Sequence, residues 1–369
     1  MILQADPGRS FRREREEILA AARRVLESGW YILGGETRSF EEAFARYNGC
    51  RHCLGVANGT DAVELVLRAL KIGRGDKVAT VGNTATATVS AIERTGAEVR
   101  FADIEPGKFT LSAASLEELL SRESGIRAVV AVHLFGAAAD LDGILRVTKK
   151  FGVPLVEDCA QAHGAEYRGK KCGTFGVAGC FSFYPTKNLG AFGDGGAVIT
   201  DDDELYETMT ALRQYGWRKR YISEFSGINS RLDELQAAIL SVKLPRLDRC
   251  NAERRRIAER YRSGLAGLDG IIAPAEPENT RHVYHQFVLR VTGGARDALM
   301  EHLKRRGVGC AIHYPEAIPL QPGYRAVPRP CSLEETLRVN PELLSLPMYP
   351  ELADDEIETV LRGVRDFFR

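Results

Sequence analysis

Short apolar runs alternate along most of this chain with longer segments whose apolar residues recur every three or four positions. The runs at 53–57, 77–81, 98–102, 127–132, 153–157, 179–183 and 196–200 are strand-length and rich in β-branched and aromatic residues. The helical spacing covers 38–47, 60–71, 84–94, 114–122, 141–150, 203–214 and 231–243. Strands that are apolar throughout are buried on both faces. The pattern therefore predicts an α/β fold with a large, mainly parallel (mixed) sheet between two layers of helices. An amphipathic helix over 11–28 precedes it, with Ile18, Ala21, Ala22, Val25 and Leu26 on one stripe and Gly29 at its end. The alternation breaks near Pro245. A charged helix at 247–266, a Pro-rich turn at 273–277, a strand at 284–291 and helices at 295–306 and 352–368 predict a smaller α+β unit. Two domains are expected, 1–245 and 246–369.

The 369 residues are 44% apolar, enough for a sizeable core. Fifty basic residues balance fifty acidic ones, which argues against a broad nucleic-acid or anionic-membrane surface while leaving room for a local basic pocket. No apolar run approaches the roughly 20 residues that span a bilayer. The first residues turn charged at once, without a signal-peptide core, so a cytoplasmic protein is expected. Eight scattered cysteines do not form a disulfide scaffold. Cys50-Arg51-His52-Cys53 is a CxxC with no second pair, so no metal is expected; Cys53 reads as the start of a buried strand.

Four segments carry candidate chemistry. In Gly55-Val56-Ala57-Asn58-Gly59-Thr60-Asp61-Ala62 a strand runs into a helix that Thr60 would cap, and such a helix N-terminus suits a phosphate. A capped helix without a ligand explains it equally. The run ending Glu157-Asp158 places a carboxylate at a strand end, where ligands of open α/β sheets lie, with Gln161 and His163 just beyond. His163 reads either as a partner of Asp158 or as a core histidine. Lys187 follows Asp158 by 29 positions in Phe183-Tyr184-Pro185-Thr186-Lys187-Asn188-Leu189-Gly190, with Ser182 nearby and a Gly-rich stretch after it. An amine able to form a Schiff base and an acid able to hold a pyridine nitrogen protonated are what pyridoxal phosphate (PLP) requires. A glycine-rich hairpin is the plain alternative. Finally, Asn229 precedes a helix that Ser230 or Asp233 would cap. No GxGxxG follows the first strand, so a dinucleotide site is not indicated.

Together, and in this order, these segments resemble the DegT/DnrJ/EryC1/StrS family of PLP-dependent nucleotide-sugar aminotransferases. The resemblance extends to Gly29-Trp30-Tyr31-Ile32-Leu33-Gly34, Gly193-Asp194-Gly195-Gly196, Asn229-Ser230-Arg231-Leu232-Asp233-Glu234-Leu235-Gln236, His313-Tyr314-Pro315 and Leu346-Pro347-Met348-Tyr349-Pro350, and so covers nearly the whole chain. It implies fold-type I architecture. It implies Lys187 as the Schiff-base lysine and acid/base, Asp158 on the pyridine nitrogen and Gln161 near the ring 3-hydroxyl. Gly59, Thr60 and Ser182 would hold the phosphate. Asn229 would reach the cofactor of the partner in a homodimer with shared active sites. Tyr31, Gly34, Tyr184, His313 and Tyr314 would lie near the nucleotide-linked keto sugar.

The resemblance further implies L-glutamate as amino donor and amination at C3 more than at C4. A sugar dehydratase of the same fold is the alternative enzyme, against which Lys187 argues, since members with that chemistry tend to carry histidine there. A non-catalytic regulatory member is the other alternative. Two positions depart from the family pattern. Ala85 stands where an aromatic residue usually stacks on the cofactor ring, and Pro319 stands where a second histidine often follows His-Tyr-Pro.

Overall fold

The computed structural model describes residues 1–368. Seven strands form the central sheet: β1 (His52–Val56), β2 (Lys77–Val81), β3 (Glu98–Ala102), β4 (Ile126–Val132), β5 (Leu155–Asp158), β6 (Ala178–Ser182) and β7 (Gly196–Thr200). Their spatial order is β1-β7-β6-β5-β4-β2-β3. Only β7 runs against its neighbours, pairing antiparallel with both β1 and β6. The expected mixed, mainly parallel sheet is therefore present. The plain hairpin reading of the lysine segment is also correct as topology, because β6 and β7 pair directly and the lysine loop joins them.

Helices cover both faces: α1 (Pro7–Arg13), α2 (Arg15–Ser28), α3 (Gly35–Asn48), α4 (Gly59–Ala69), α5 (Thr86–Arg94), α6 (Ala113–Arg122), α7 (Leu141–Phe151), α8 (Asp203–Leu212) and α9 (Glu234–Lys243). Alternation along the strands sends their side chains to two separate cores. Leu54 and Val56 of β1 pack with Leu65, Ile92 and Met209 on one face. On the other, Phe181 and Phe183 meet Phe40 and Phe44 edge to face at 5.0–5.4 Å between ring centres.

After the long α10 (Leu247–Leu265), strands β8 (Ile271–Ile272), β9 (Phe287–Val291) and β10 (Leu343–Leu346) make a three-stranded antiparallel sheet in the order β8-β9-β10. Helices α11 (Arg296–Arg305) and α13 (Asp354–Phe367), the latter after the short α12 (Glu334–Val339), pack with α10 around a third core that includes Tyr261, Phe287, Leu303 and Leu361. Ile2 joins this core and bridges to Val308, just after α11, so the N-terminal residues are tied to the C-terminal unit.

Three expectations need correction. The helix over 11–28 is two helices, broken at Glu14, a buried carboxylate held by Arg13. The helix expected from 231 starts at Glu234: Asp233 takes the N-cap position, as one of the two proposed caps, but makes no side-chain capping bond, and Ser230 Oγ instead donates to Asp61 Oδ2 at 2.7 Å. Strand β10 was not expected; four residues after an Asn-Pro turn are too few to show a period.

Candidate active site

The parallel register sets Asp158 of β5 beside Cys180 of β6. Both strands end at the same edge of the sheet, so the acid and the lysine loop are brought together there. A pocket of about 250 Å³, open to solvent, lies at this edge, lined among others by Gly59, Thr60, Asp158, Gln161, Ser182, Tyr184 and Lys187. Seven of the predicted site residues thus share one cavity.

The N-terminus of α4 forms one end. Here the structure corrects the cap. Asn58, in extended backbone, accepts from Asp61 N–H at 2.8 Å, which makes Asn58 the N-cap and Thr60 a first-turn residue. The correction frees Thr60: its N–H, that of Gly59 and the Thr60 hydroxyl have no protein partner among the described residues. They form a cup of donors at the positive end of a helix. Gly59 is required for a reason other than ligand approach, since a Cβ there would stand 2.7 Å from Ser182 Cβ. Its absence lets Ser182 sit against the helix end.

Asp158 occupies the other end and is buried. Its Oδ1 accepts from Ala160 N–H at 3.0 Å and its Oδ2 from Thr88 Oγ1 at 2.8 Å. Thr84 Oγ1 lies 3.0 Å from Thr88 Oγ1 and extends the chain. Thr88 was not anticipated; its only signal was its place in the segment singled out for Ala85. His163 does not partner Asp158. It packs near Phe181 and Phe183, with ring centres 5.4 and 5.8 Å away.

Gln161 is buried and fixed at both ends of its amide. Oε1 accepts from Phe135 N–H at 2.6 Å, and Nε2 donates to Tyr314 Oη at 3.2 Å. Burial pushes the Tyr314 phenol up to about 12. His313 beside it bonds Ser345 Oγ through Nδ1 at 2.8 Å. Both adjoin the pocket rather than line it.

Lys187 makes no ion pair among the described residues. Burial draws its pKa from 10.5 down to about 8, while the charge of Asp158 opposes the fall. Burial, reinforced by the Lys187 charge, also holds His163 to about 3 and His313 to about 4, so these rings stay neutral around the amine. Asn188 anchors the loop: its Nδ2 donates to Asn251 Oδ1 at 2.8 Å and to Val283 O at 3.0 Å.

Three further predicted residues do not line this pocket. Tyr31 is exposed on the turn after α2. Gly34 precedes α3, where a Cβ would meet Trp30 Cδ1 at 2.5 Å and Glu234 Oε2 at 2.6 Å. Asn229 is exposed beyond a short hairpin at 217–223. Ala85 lines the pocket, and Tyr184 is the one aromatic residue among the described lining residues. Pro319 packs on β2: a Cβ on Gly82 would stand 2.9 Å from its Cγ.

His133, Glu157 and Cys159 cluster tightly enough to suggest a metal. Glu157, however, already accepts from His133 Nε2 and from the N–H groups of Gly173, Phe175 and Gly176 at 2.7–2.9 Å, and His133 Nδ1 accepts from Ala139 N–H. The cluster is a saturated structural network. In the CxxC, burial pushes both thiols upward, Cys50 to about 11. No described helix is long and apolar enough to cross a membrane.

A donor cup, a depressed amine and a buried acid across one pocket fit a phosphorylated pyridine aldehyde. A profile of the DegT/DnrJ/EryC1/StrS aminotransferase family matches residues 12–365. The chain belongs to that family. The dTDP-3-amino-3,4,6-trideoxy-α-D-glucose transaminase of Streptomyces venezuelae is 42% identical over 354 residues, covering 96% of this chain and 92% of that protein. The pleiotropic regulatory protein of Geobacillus stearothermophilus is 38% identical over 367 residues, with 99% and 98% covered. The crystal structure of S. venezuelae DesV in complex with a ketimine intermediate matches with a TM-score of 0.96 at 41% identity, over 100% of this chain and 98% of that one. This member of the DegT/DnrJ/EryC1/StrS family is therefore a PLP-dependent aminotransferase of the nucleotide-sugar class, with the fold of DesV.

Proposed function

We propose that this aminotransferase moves an amino group from L-glutamate to C3 of a nucleotide-linked keto-deoxysugar. The observation that carries the reading is the depressed amine of Lys187 facing the pocket that also holds buried Asp158 and the donor cup at α4. PLP, when bound, supplies an electron sink and carries the nitrogen between donor and acceptor. The free N–H groups of Gly59 and Thr60, with the hydroxyls of Thr60 and Ser182, would hold its phosphate. Asp158, oriented by Thr88 and Ala160, would keep the pyridine nitrogen protonated, and Gln161 would meet the 3-hydroxyl. Lys187 Nζ can give up and regain a proton near neutral pH, which suits it to move the proton of the donor α-carbon.

C3 is favoured over C4 by the 3-amino product in the name of the S. venezuelae relative. Two features support a homodimer with shared sites. Asn229 lies outside the pocket of its own chain, and Trp30, Tyr31, Tyr221 and Ile222 expose large apolar surface. A regulatory role is suggested by the name of the G. stearothermophilus relative. The intact lysine and acid in one pocket favour catalysis.

The test is amination of a panel of nucleotide-linked 3-keto and 4-keto sugars with nitrogen-labelled L-glutamate. Label at C3 is expected. Label only at C4 would overturn the position, and no amination of any sugar would favour the regulatory reading.

A further inference from the structure

A second cavity, partly open to solvent, lies behind the lysine loop. The N-terminal arm, residues 185–188, the junction of α9 with α10 and residues 349–351 enclose it, and Lys187 lines both cavities.

Arg254, on α10, lines this second space and is 5% exposed. Its Nη1 donates to the carbonyls of Tyr284, His285 and Met348 at 3.2, 3.4 and 2.9 Å. Its Nε has no partner, and Nη2 makes no hydrogen bond among the described residues. No described carboxylate comes within 4.0 Å of the guanidinium. Nε and Nη2 form the edge of an arginine that grips a carboxylate through two parallel bonds.

Lys243 shares the lining. Its ammonium donates to Gly190 O and lies 4.9 Å from the Phe192 ring centre, again with no described carboxylate within 4.0 Å. Burial lowers the pKa of both cations, Arg254 to about 10. Arg254 is buried and Lys243 half-buried, Glu14 and Glu351 act on them only from beyond contact distance, and two such cations beside one cavity favour an anion. The carboxylates of the same wall are otherwise engaged, since Arg13 spans Glu14 at 2.8 Å and Glu351 at 3.0 Å. Two oxygens of this wall are buried with no hydrogen-bond partner among the described residues, Glu14 Oε2 and Glu351 Oε1, the second lying only in the ion pair with Arg13.

We propose that this cavity binds an amino-acid-sized zwitterion, its carboxylate on the Arg254 edge and Lys243 and its ammonium toward Glu14. The acidic wall of Glu14 and Glu351 disfavours the second charge of a phosphate. Because the lysine loop forms one side, an occupant restrains the segment that carries Lys187. The site thereby couples amino-acid supply to the active site from outside the cofactor pocket, whichever sugar is aminated.

The test uses holoenzyme reduced with borohydride, whose cofactor can no longer exchange. It is titrated calorimetrically with L-glutamate, glutarate and inorganic phosphate. L-Glutamate should bind at one site per chain, and Lys243→Met should weaken it about tenfold or more, the worth of one charge-assisted bond. Glu14→Gln should weaken L-glutamate and spare glutarate. Arg254→Gln should abolish binding; because it also removes the clasp on three carbonyls, its fold is checked by circular dichroism, and Lys243→Met decides the matter if it unfolds. Three results would each overturn the proposal: no binding of L-glutamate, binding that Lys243→Met leaves unchanged, or phosphate binding tighter than either carboxylate.

Discussion

Lys187 offers the most direct quantitative test of the site. Burial takes its pKa from 10.5 to about 8, and the nearby Asp158 charge limits the drop. At pH 7 an amine with that pKa is about 9% free base, while an ordinary lysine is about 0.03%, a ratio of about 300. Only the free base attacks an aldehyde or an acylating reagent. In apoenzyme treated with limiting trinitrobenzenesulfonate and analysed by peptide mapping, the Lys187 peptide should label first at neutral pH. Its rate should rise with pH and level off above about 8, whereas surface lysines continue to climb beyond about 10. Asp158→Asn removes the charge that favours the ammonium, so the midpoint should move further down. A Lys187 midpoint near 10.5, or an upward move in Asp158→Asn, would refute the reasoning, because burial would then not be the controlling influence.

Other perturbations read other parts of the molecule. Thr88→Val keeps the volume but removes the hydroxyl bonded to Asp158, a charge-assisted bond worth about 1.5–3 kcal/mol. Urea unfolding of the apoenzyme should show that loss, and turnover of the folded variant should fall at least tenfold; unchanged turnover would release Thr88 from any positioning role. Glu234 is pushed up by burial, but N–H donors from Thr37, Glu36 and Gly34 outweigh this and hold its carboxyl below the usual range. Its stabilisation is therefore complete above the unfolded value near 4.5 and lost as pH falls through the lower folded value. Glu234→Gln should cost about 1–3 kcal/mol at pH 7, with the gap from wild type closing in acid when both are melted across a pH series. Asn229→Ala mixed with Lys187→Ala should recover part of the lost turnover if sites are shared between chains; no recovery would assign Asn229 to its own chain or to no site.

The strand-and-helix alternation was legible because each strand is a continuous apolar run and each helix an amphipathic one. The pairing of Lys187 with Asp158 was legible because adjacent parallel strands end at one edge. Long-range polar partners were not. Thr88 reaches Asp158 across 70 positions, and no local pattern marks its hydroxyl as a donor. The cap of α4 was placed two residues late because Asn58, Gly59 and Thr60 are all acceptable there by residue type; the extended backbone at Asn58 and its bond to Asp61 decide it. Likewise, nothing around Glu14 in sequence breaks the first helix, since the break rests on a buried carboxylate held by Arg13 and, at 4.0 Å, by Arg246 far along the chain.

The segment from Asn229 to Gln236 makes the same point about motifs. It carried much of the family resemblance, which invites a ligand-binding explanation for each residue. In the fold, Ser230 bonds Ala57 N–H and Asp61, Leu232 is fully buried, and Gln236 accepts from Phe192 N–H at 2.9 Å. Glu234 caps α3 through three N–H groups. Four residues thus pin the starts of α3 and α4 and the loop after Lys187. That also accounts for Gly34, whose missing side chain makes room for the Glu234 carboxylate whatever else it meets. Asn229 is exposed and its side chain makes no hydrogen bond among the described residues, which is why the shared-site prediction rests on it.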